Sequence, residues 1–309
     1  MAHYLLRRIL SMVLTMFFII SLTFFMMQGI PGGPFDQNKK LPPGIEENIN
    51  EKYHLDDPLF VQYQDYLGDA LRFDFGPSFR YQSRTVNDII KEGFPVSALL
   101  GSAAILIALL LGFILGIISA LYPNKFPDYS AMIIATFGFS VPGFVMASIL
   151  MYVFAYRLGW FPAAMWGTWH HLVLPALSLS FFPMAVITRL VKSSFLEVLQ
   201  MDYIRTAKAK GLSRGRILCH HTLRNALTPL NTYFAPLIAT TLTGSFVIEH
   251  IFNIPGLGRY FVTGVLNRDY TLIMGTTVFF SWVFMLMNLL SDLFYVLIDP
   301  RVRLMEQKR

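Results

Sequence analysis

Six stretches of the chain run for 20 residues or more with at most one charged position each: Ile9–Gln28, Val96–Tyr122, Tyr129–Tyr156, His171–Leu190, Leu230–Phe252 and Thr271–Ile298. At 1.5 Å rise per residue, each is long enough to cross a hydrocarbon core of about 30 Å, some with length to spare for tilt. The first run follows Arg7-Arg8, as a secretion signal would. It ends in Gln28-Gly-Ile-Pro-Gly-Gly without a small-x-small cleavage site, so a retained helix is expected. The pattern therefore predicts an all-α integral membrane protein with six transmembrane helices.

Two polar stretches interrupt the apolar runs. Residues 31–94 are too long for a connector. Within them Leu59, Tyr63, Tyr66 and Leu67 recur at helical spacing, and Ile45–Tyr53 reads as a helix as well. Asp56-Asp57-Pro58 resembles the cap and first turn of the second of these helices. A small helical domain outside the membrane, between the first two spans, is expected here. The organisation is then residues 1–30 for the N terminus and first span, 31–94 for the outer domain, and 95–309 for a five-helix core carrying an inner loop at 191–229.

Composition agrees with the pattern. Hydrophobic residues make up 54% of the chain and charged residues only 14%, against about 25% charged in soluble domains. An ordinary soluble enzyme is excluded. The lone Cys219 excludes an internal disulfide and any multi-cysteine metal site.

The net charge of +6 matters through its placement, and it gives no reason to expect a nucleic-acid partner. With the N terminus inside, the inner segments hold 15 Lys and Arg against five acids. The outer segments hold 10 against 12, and 11 of those acids fall between Pro31 and Phe94. The excess of basic residues predicts that both termini lie in the cytoplasm, which six spans also require.

Within the inner loop, Asp202-Tyr-Ile-Arg-Thr-Ala-Lys-Ala-Lys-Gly-Leu-Ser-Arg214 is short, basic and sharply bounded. Asp202 can cap a helix at its positive end, and Gly211 can stop it in the left-handed conformation. Two and a half turns make no stable isolated helix, so the segment must lean on something. Tyr203, Ala207 and Lys210 share a face, Arg205 and Lys208 lie on the next, and Ala207 and Ala209 would permit close approach of a partner's backbone. Ser213 can cap a second helix running toward Pro229. The plainer reading is a basic loop that fixes topology and meets anionic lipid.

The order of residues favours the sharper reading. Tyr203-Ile-Arg-Thr-Ala-Lys-Ala-Lys-Gly-Leu resembles the EAA loop of bacterial ABC importer permeases, in the form found in peptide and nickel permeases. The Glu-Ala-Ala positions of the general pattern fall on Arg205, Thr206 and Ala207. Of that pattern only Ala207 and Gly211 are kept, whereas the peptide-permease form also fits through Leu223-Arg-Asn-Ala226. Similar stretches are Leu41-Pro-Pro-Gly, Asp74-Phe-Gly-Pro-Ser-Phe79, Gly244–Gly258, Asn267-Arg-Asp-Tyr270 and Ile298-Asp-Pro-Arg301.

The resemblance implies an ABC importer permease fold and a membrane-spanning subunit of an ATP-driven oligopeptide importer. A dipeptide or nickel importer is the alternative within the class. Partners implied are a homologous second permease subunit, two cytoplasmic ATPase subunits, an extracytoplasmic peptide-binding protein, the peptide substrate and the bilayer of a bacterial cell membrane. The ATPases would dock on Asp202, Tyr203, Arg205, Thr206, Ala207, Lys208, Ala209, Lys210 and Gly211. No Gly-x-x-x-x-Gly-Lys-Ser/Thr occurs in the chain. It is therefore expected to bind no cofactor and to catalyse nothing, ATP and Mg being handled by partner subunits.

Other polar groups were weighed. His170-His171 and His220-His221 point about 100° apart on a helix and have no further ligand at metal spacing. The former pair, near Trp160, Trp166 and Trp169, fits an aromatic belt at the outer interface. Glu249, Asn288 and Asp292 are candidates for the pathway or an outer gate. Asn288 and Asp292 share a face, and a proton relay there competes with a structural hydrogen bond. With no internal repeat, an ion-driven secondary transporter is the reading from another class. Gly112 and Gly116 predict close helix packing. Pro142-Gly143 predicts a kink, whether static or gating.

Overall fold

The computed structural model describes residues 2–30, 57–81, 83–242 and 245–298. Within these, the side chains of residues 2–5, 224, 228–229, 231–232, 235, 239 and 291–298 are outside the description. The sequence-predicted helix at Ile45–Tyr53 lies outside the described residues. So does all of the remaining 31–56 segment.

Long helices form where the sequence runs apolar. They are α1 (Ala2–Gln28), α3 (Val86–Leu121), α6 (Trp169–Leu199) and α13 (Tyr270–Ile298). All four contain a stretch long and apolar enough to cross a membrane. They overrun the predicted spans because amphipathic turns continue them beyond the lipid-like run, ten residues earlier in the case of α3. That extension passes through Pro95.

Two predicted spans are not single helices. Tyr129–Tyr156 is divided into α4 (Phe126–Ser140) and α5 (Gly143–Leu150), the latter running on as a π-helical segment to Arg157, and the two halves bend by 109°. Pro142 has no N–H to give and pushes the residue before it out of the helical region. Val141 accordingly sits at φ −90°, ψ 122°. Leu230–Phe252 is also divided, into α10 (Thr228–Leu242) and α11 (Phe246–Ile251). Ser245 restarts the second piece from an extended conformation, its hydroxyl accepting from the Ile248 N–H at 3.3 Å.

The chain forms two compact units, residues 1–96 with 255–286, and residues 97–254 with 287–309. In the first, α2 (Leu59–Leu71) lies along α1. Phe24 packs on the rings of Tyr63 and Tyr66, and Ser21 and Tyr63 share a hydrogen bond of 2.6 Å. Helix α2 starts one residue later than the sequence suggests, because Pro58 stands at the cap position and Asp57 offers its backbone carbonyl to Gln62.

Asp269 organises the other end of this unit. It is buried and caps α13 by accepting from the Leu272 N–H. It also accepts from the Ser78 hydroxyl and the N–H groups of Phe79 and Arg80. One carboxylate thus joins a helix start to a loop nearly 200 residues away in sequence.

The second unit is built on α6. Gly138 of α4 and Gly112 and Gly116 of α3 bring those helices so close that a Cβ would meet α6 at 2.6–2.8 Å. The expected internal packing of the glycine pair is therefore observed. Asp128, at the start of α4, is 2.5 Å from Lys192 of α6. It also accepts from the Ser119 hydroxyl and from the Asn124 N–H at 2.9 Å.

Candidate functional site

The inner loop folds as α7 (Asp202–Ala209), α8 (Arg214–Arg216), a π-helical segment (Ile217–Thr222) and α9 (Leu223–Ala226). The cap position of α7 belongs to Met201, with no side-chain hydrogen bond. Asp202 is the first helical residue. Its charge still faces the positive end of the helix dipole, while its 3.5 Å pair with Arg205 is exposed and adds little.

Gly211 ends the helix at φ +76°. The Leu212 N–H donates to the Ala207 carbonyl and the Gly211 N–H to that of Lys208. These are the two bonds of a Schellman turn, closed by an apolar contact across it. The contact is present: Leu212 packs on the cluster of Ile204, Ala207 and Ile217. A helix too short to stand alone is thus held by its own stop signal and the helical stretch that follows it.

This packing corrects the predicted partner-facing surface. Ala207 is buried at 6% exposure, pointing into the loop with Ile204. The outward surface is instead Tyr203, Arg205, Thr206, Lys208, Ala209 and Lys210. Ile204 was not singled out from the sequence, although its three-residue spacing from Ala207 marks the inner stripe.

A second feature joins two motifs that the sequence shows apart. The Asn225 side chain donates to the Tyr203 hydroxyl at 2.9 Å and to the His221 carbonyl at 3.1 Å. Leu223-Arg-Asn-Ala226 therefore braces Tyr203 from below. Ala226, fully buried, belongs to the same apolar cluster as Phe195 and Val198 of α6 and Leu230 of α10. The stretch that braces α7 is thereby packed tightly against two helices of the bundle.

The remaining candidates lie elsewhere. Glu249 is fully buried in α11 and accepts from the Ser97 hydroxyl of α3 at 2.8 Å. Asn288 is half-buried in α13, and the Asp292 side chain is outside the described residues. His171 closes a capping box with Thr168 at the start of α6, and His170 stacks on Trp169 with ring centroids 3.7 Å apart.

The second unit also contains a cleft of about 560 Å³, lined by Gly143 and Phe144 of α5, Ser178 and Phe182 of α6, and Tyr233 and Thr240 of α10 among others. Both helix breaks border it.

Membrane-length helices with broken spans around a cleft, and a braced basic helix beyond them, define a transport subunit of the membrane. The chain belongs to the family of binding-protein-dependent transport system inner membrane components, which its residues 112–304 match; residues 1–101 match the N-terminal part of such membrane components.

It is 50% identical over 304 residues to the dipeptide transport system permease protein DppB of Bacillus subtilis, covering 98% of this chain and 99% of that one. It is 43% identical to the oligopeptide transport system permease protein OppB of Haemophilus influenzae over 98% and 100% of the two chains. OppB of Escherichia coli K12 gives the same figures.

Among solved structures, an inward-facing MetNI methionine ABC transporter matches with a TM-score of 0.57 at 16% identity, over 68% of this chain and 96% of that one. An amino acid ABC transporter solved with histidines matches at 0.52 and 13%, over 70% and 94%. These two similarities concern the fold.

Proposed function

We propose that this chain is the permease subunit of an ATP-driven oligopeptide importer. In this reading it pairs with a homologous permease to form the pathway and takes its power stroke through α7. Two cytoplasmic ATPase subunits grip Tyr203, Arg205, Thr206 and Lys208, and an extracytoplasmic binding protein delivers the peptide. Both termini lie in the cytoplasm, and the chain itself makes and breaks no covalent bond. The observation that carries the reading is the bracing of α7. Its outward residues are exposed, while its inward residues are packed, through the π-helical segment and α9, onto α6 and α10. A two-state bundle can be biased from such a site.

Copurification tests this. A tagged chain is expected to elute with ATPase activity from mild detergent, and the exposed pair Arg205→Glu with Lys208→Glu to elute without it while keeping its size-exclusion profile. Retention of full ATPase activity by that variant would reject α7 as the docking site. The higher identity to a dipeptide permease favours a second reading, a dipeptide importer. Uptake of dipeptides in preference to tri- to pentapeptides by the reconstituted complex would select it.

A further inference from the structure

Among the described residues, Arg189 is a cation without a carboxylate partner. It sits on α6 ten residues before the helix ends, about 15 Å along the axis, and one turn deeper than Lys192, which is already paired with Asp128. Its Nη2 donates to the Thr136 hydroxyl at 3.3 Å, and its guanidinium carbon lies 4.9 Å from the Phe139 ring centroid. Among the described residues no acid forms an ion pair with it. A guanidinium has five N–H donors in a planar fork matched to a carboxylate, and here one of them is engaged. Cations at such depth face a bundle interior or water.

Its surroundings say which. Phe139 also stacks on Phe182, with centroids 5.4 Å apart and planes at 22°. Phe182 lies seven residues before Arg189, on the same face of α6, and lines the cleft. Phe182, Phe139 and Arg189 thus form a ladder leading from the cleft toward the inner end of the helix. The cleft is bordered by Gly143, the first residue after the break at Pro142, and by the non-helical residue Ser245. Non-helical backbone at membrane depth faces protein or water, not lipid. The Phe182 end of the ladder, which shares the cleft with Ser245, therefore adjoins protein or water and not acyl chains.

We propose that Arg189 receives the C-terminal carboxylate of a peptide as it leaves the cleft inward. The inference rests on the peptide-import reading above. The aromatic pair offers apolar surface to side chains, and the guanidinium offers a two-pronged, charge-assisted contact to the chain end. Binding there is transient, since a route must release what it takes.

The test uses the complete transporter in proteoliposomes and one labelled peptide in two forms, free acid and C-terminal amide, driven by internal ATP. The wild type is expected to prefer the acid. Arg189→Gln should lower acid uptake about tenfold, the scale of one charge-assisted contact, and leave amide uptake within twofold. Thr136→Val, which keeps the charge and frees the fork, should weaken the preference by a smaller factor and shows the effect even if Arg189→Gln assembles poorly.

Equal loss of acid and amide uptake in both variants, or an unchanged ratio in both, would overturn the proposal. Transport of neither peptide by an ATP-hydrolysing wild-type complex would instead reject peptide import itself, and this inference with it.

Discussion

Gly116 and Gly68 show how the same residue carries opposite meanings. A Cβ on Gly116 would stand 2.6 Å from the Val191 Cβ and 2.8 Å from the Thr188 carbonyl, whereas nothing lies within 4 Å of one on Gly68, in mid-helix on α2. Gly116→Ala must push α3 off α6, at a cost of about 1–3 kcal/mol. Gly68→Ala removes only the entropy of a flexible residue and should stabilise by about 0.5–1 kcal/mol. Thermal unfolding in one detergent should therefore move the two variants in opposite directions. The Gly112/Gly116 spacing announced its packing in the sequence. The stop at Gly211 did too, since Gly followed by an apolar residue at a helix end suits a Schellman turn. The Ile204/Ala207 spacing offers an apolar stripe, but only the neighbour Ile217 decides that this stripe of so short a helix is the buried one.

At the scale of elements, the ion pair between α4 and α6 fixes where the bent span begins. The Asp128 side chain is 5% exposed and that of Lys192 23%. Lys192→Met would leave a buried carboxylate without its cation, and the loss should be about 3 kcal/mol or more. The double change Asp128→Asn with Lys192→Met should recover most of it, because the charge that was expensive to bury is gone. A double-mutant cycle on thermal stability reads the difference, and additive losses would mean that the pair does not couple.

The breaks at Pro142 and Ser245 belong to the same scale. Proline at 142 predicted a kink, but a bend of 109° depends on α5 having α6 and α11 to pack against. The division of the fifth span was missed altogether. Hydropathy counts apolar residues and is blind to a serine that caps a new helix inside the run.

For the molecule as a whole, sidedness is the property on which every partner assignment depends. Cys219 lies in the π-helical segment behind α7, is exposed, and is the chain's single cysteine. It is thus a built-in reporter. A membrane-impermeant maleimide should label it in inverted vesicles and leave it unlabelled in intact, right-side-out cells or spheroplasts. Labelling from outside would reverse the topology and remove α7 from the reach of any cytoplasmic ATPase.

The sequence by itself determined that the chain is helical and lives in a membrane, because a run of about 20 apolar residues has only one way to satisfy its backbone there. It also marked the short basic helix of the inner loop, since its stop and its basic residues are local signals read within a few turns. Tertiary structure alone decided which residues of that loop face outward, which spans break, and which distant side chains meet. Asn225 finds Tyr203, and Arg189 joins the ladder to the cleft, only once helices far apart in sequence are packed. Such contacts have no periodicity to betray them. They arise from the close approach of whole helices, which no single stretch of sequence encodes.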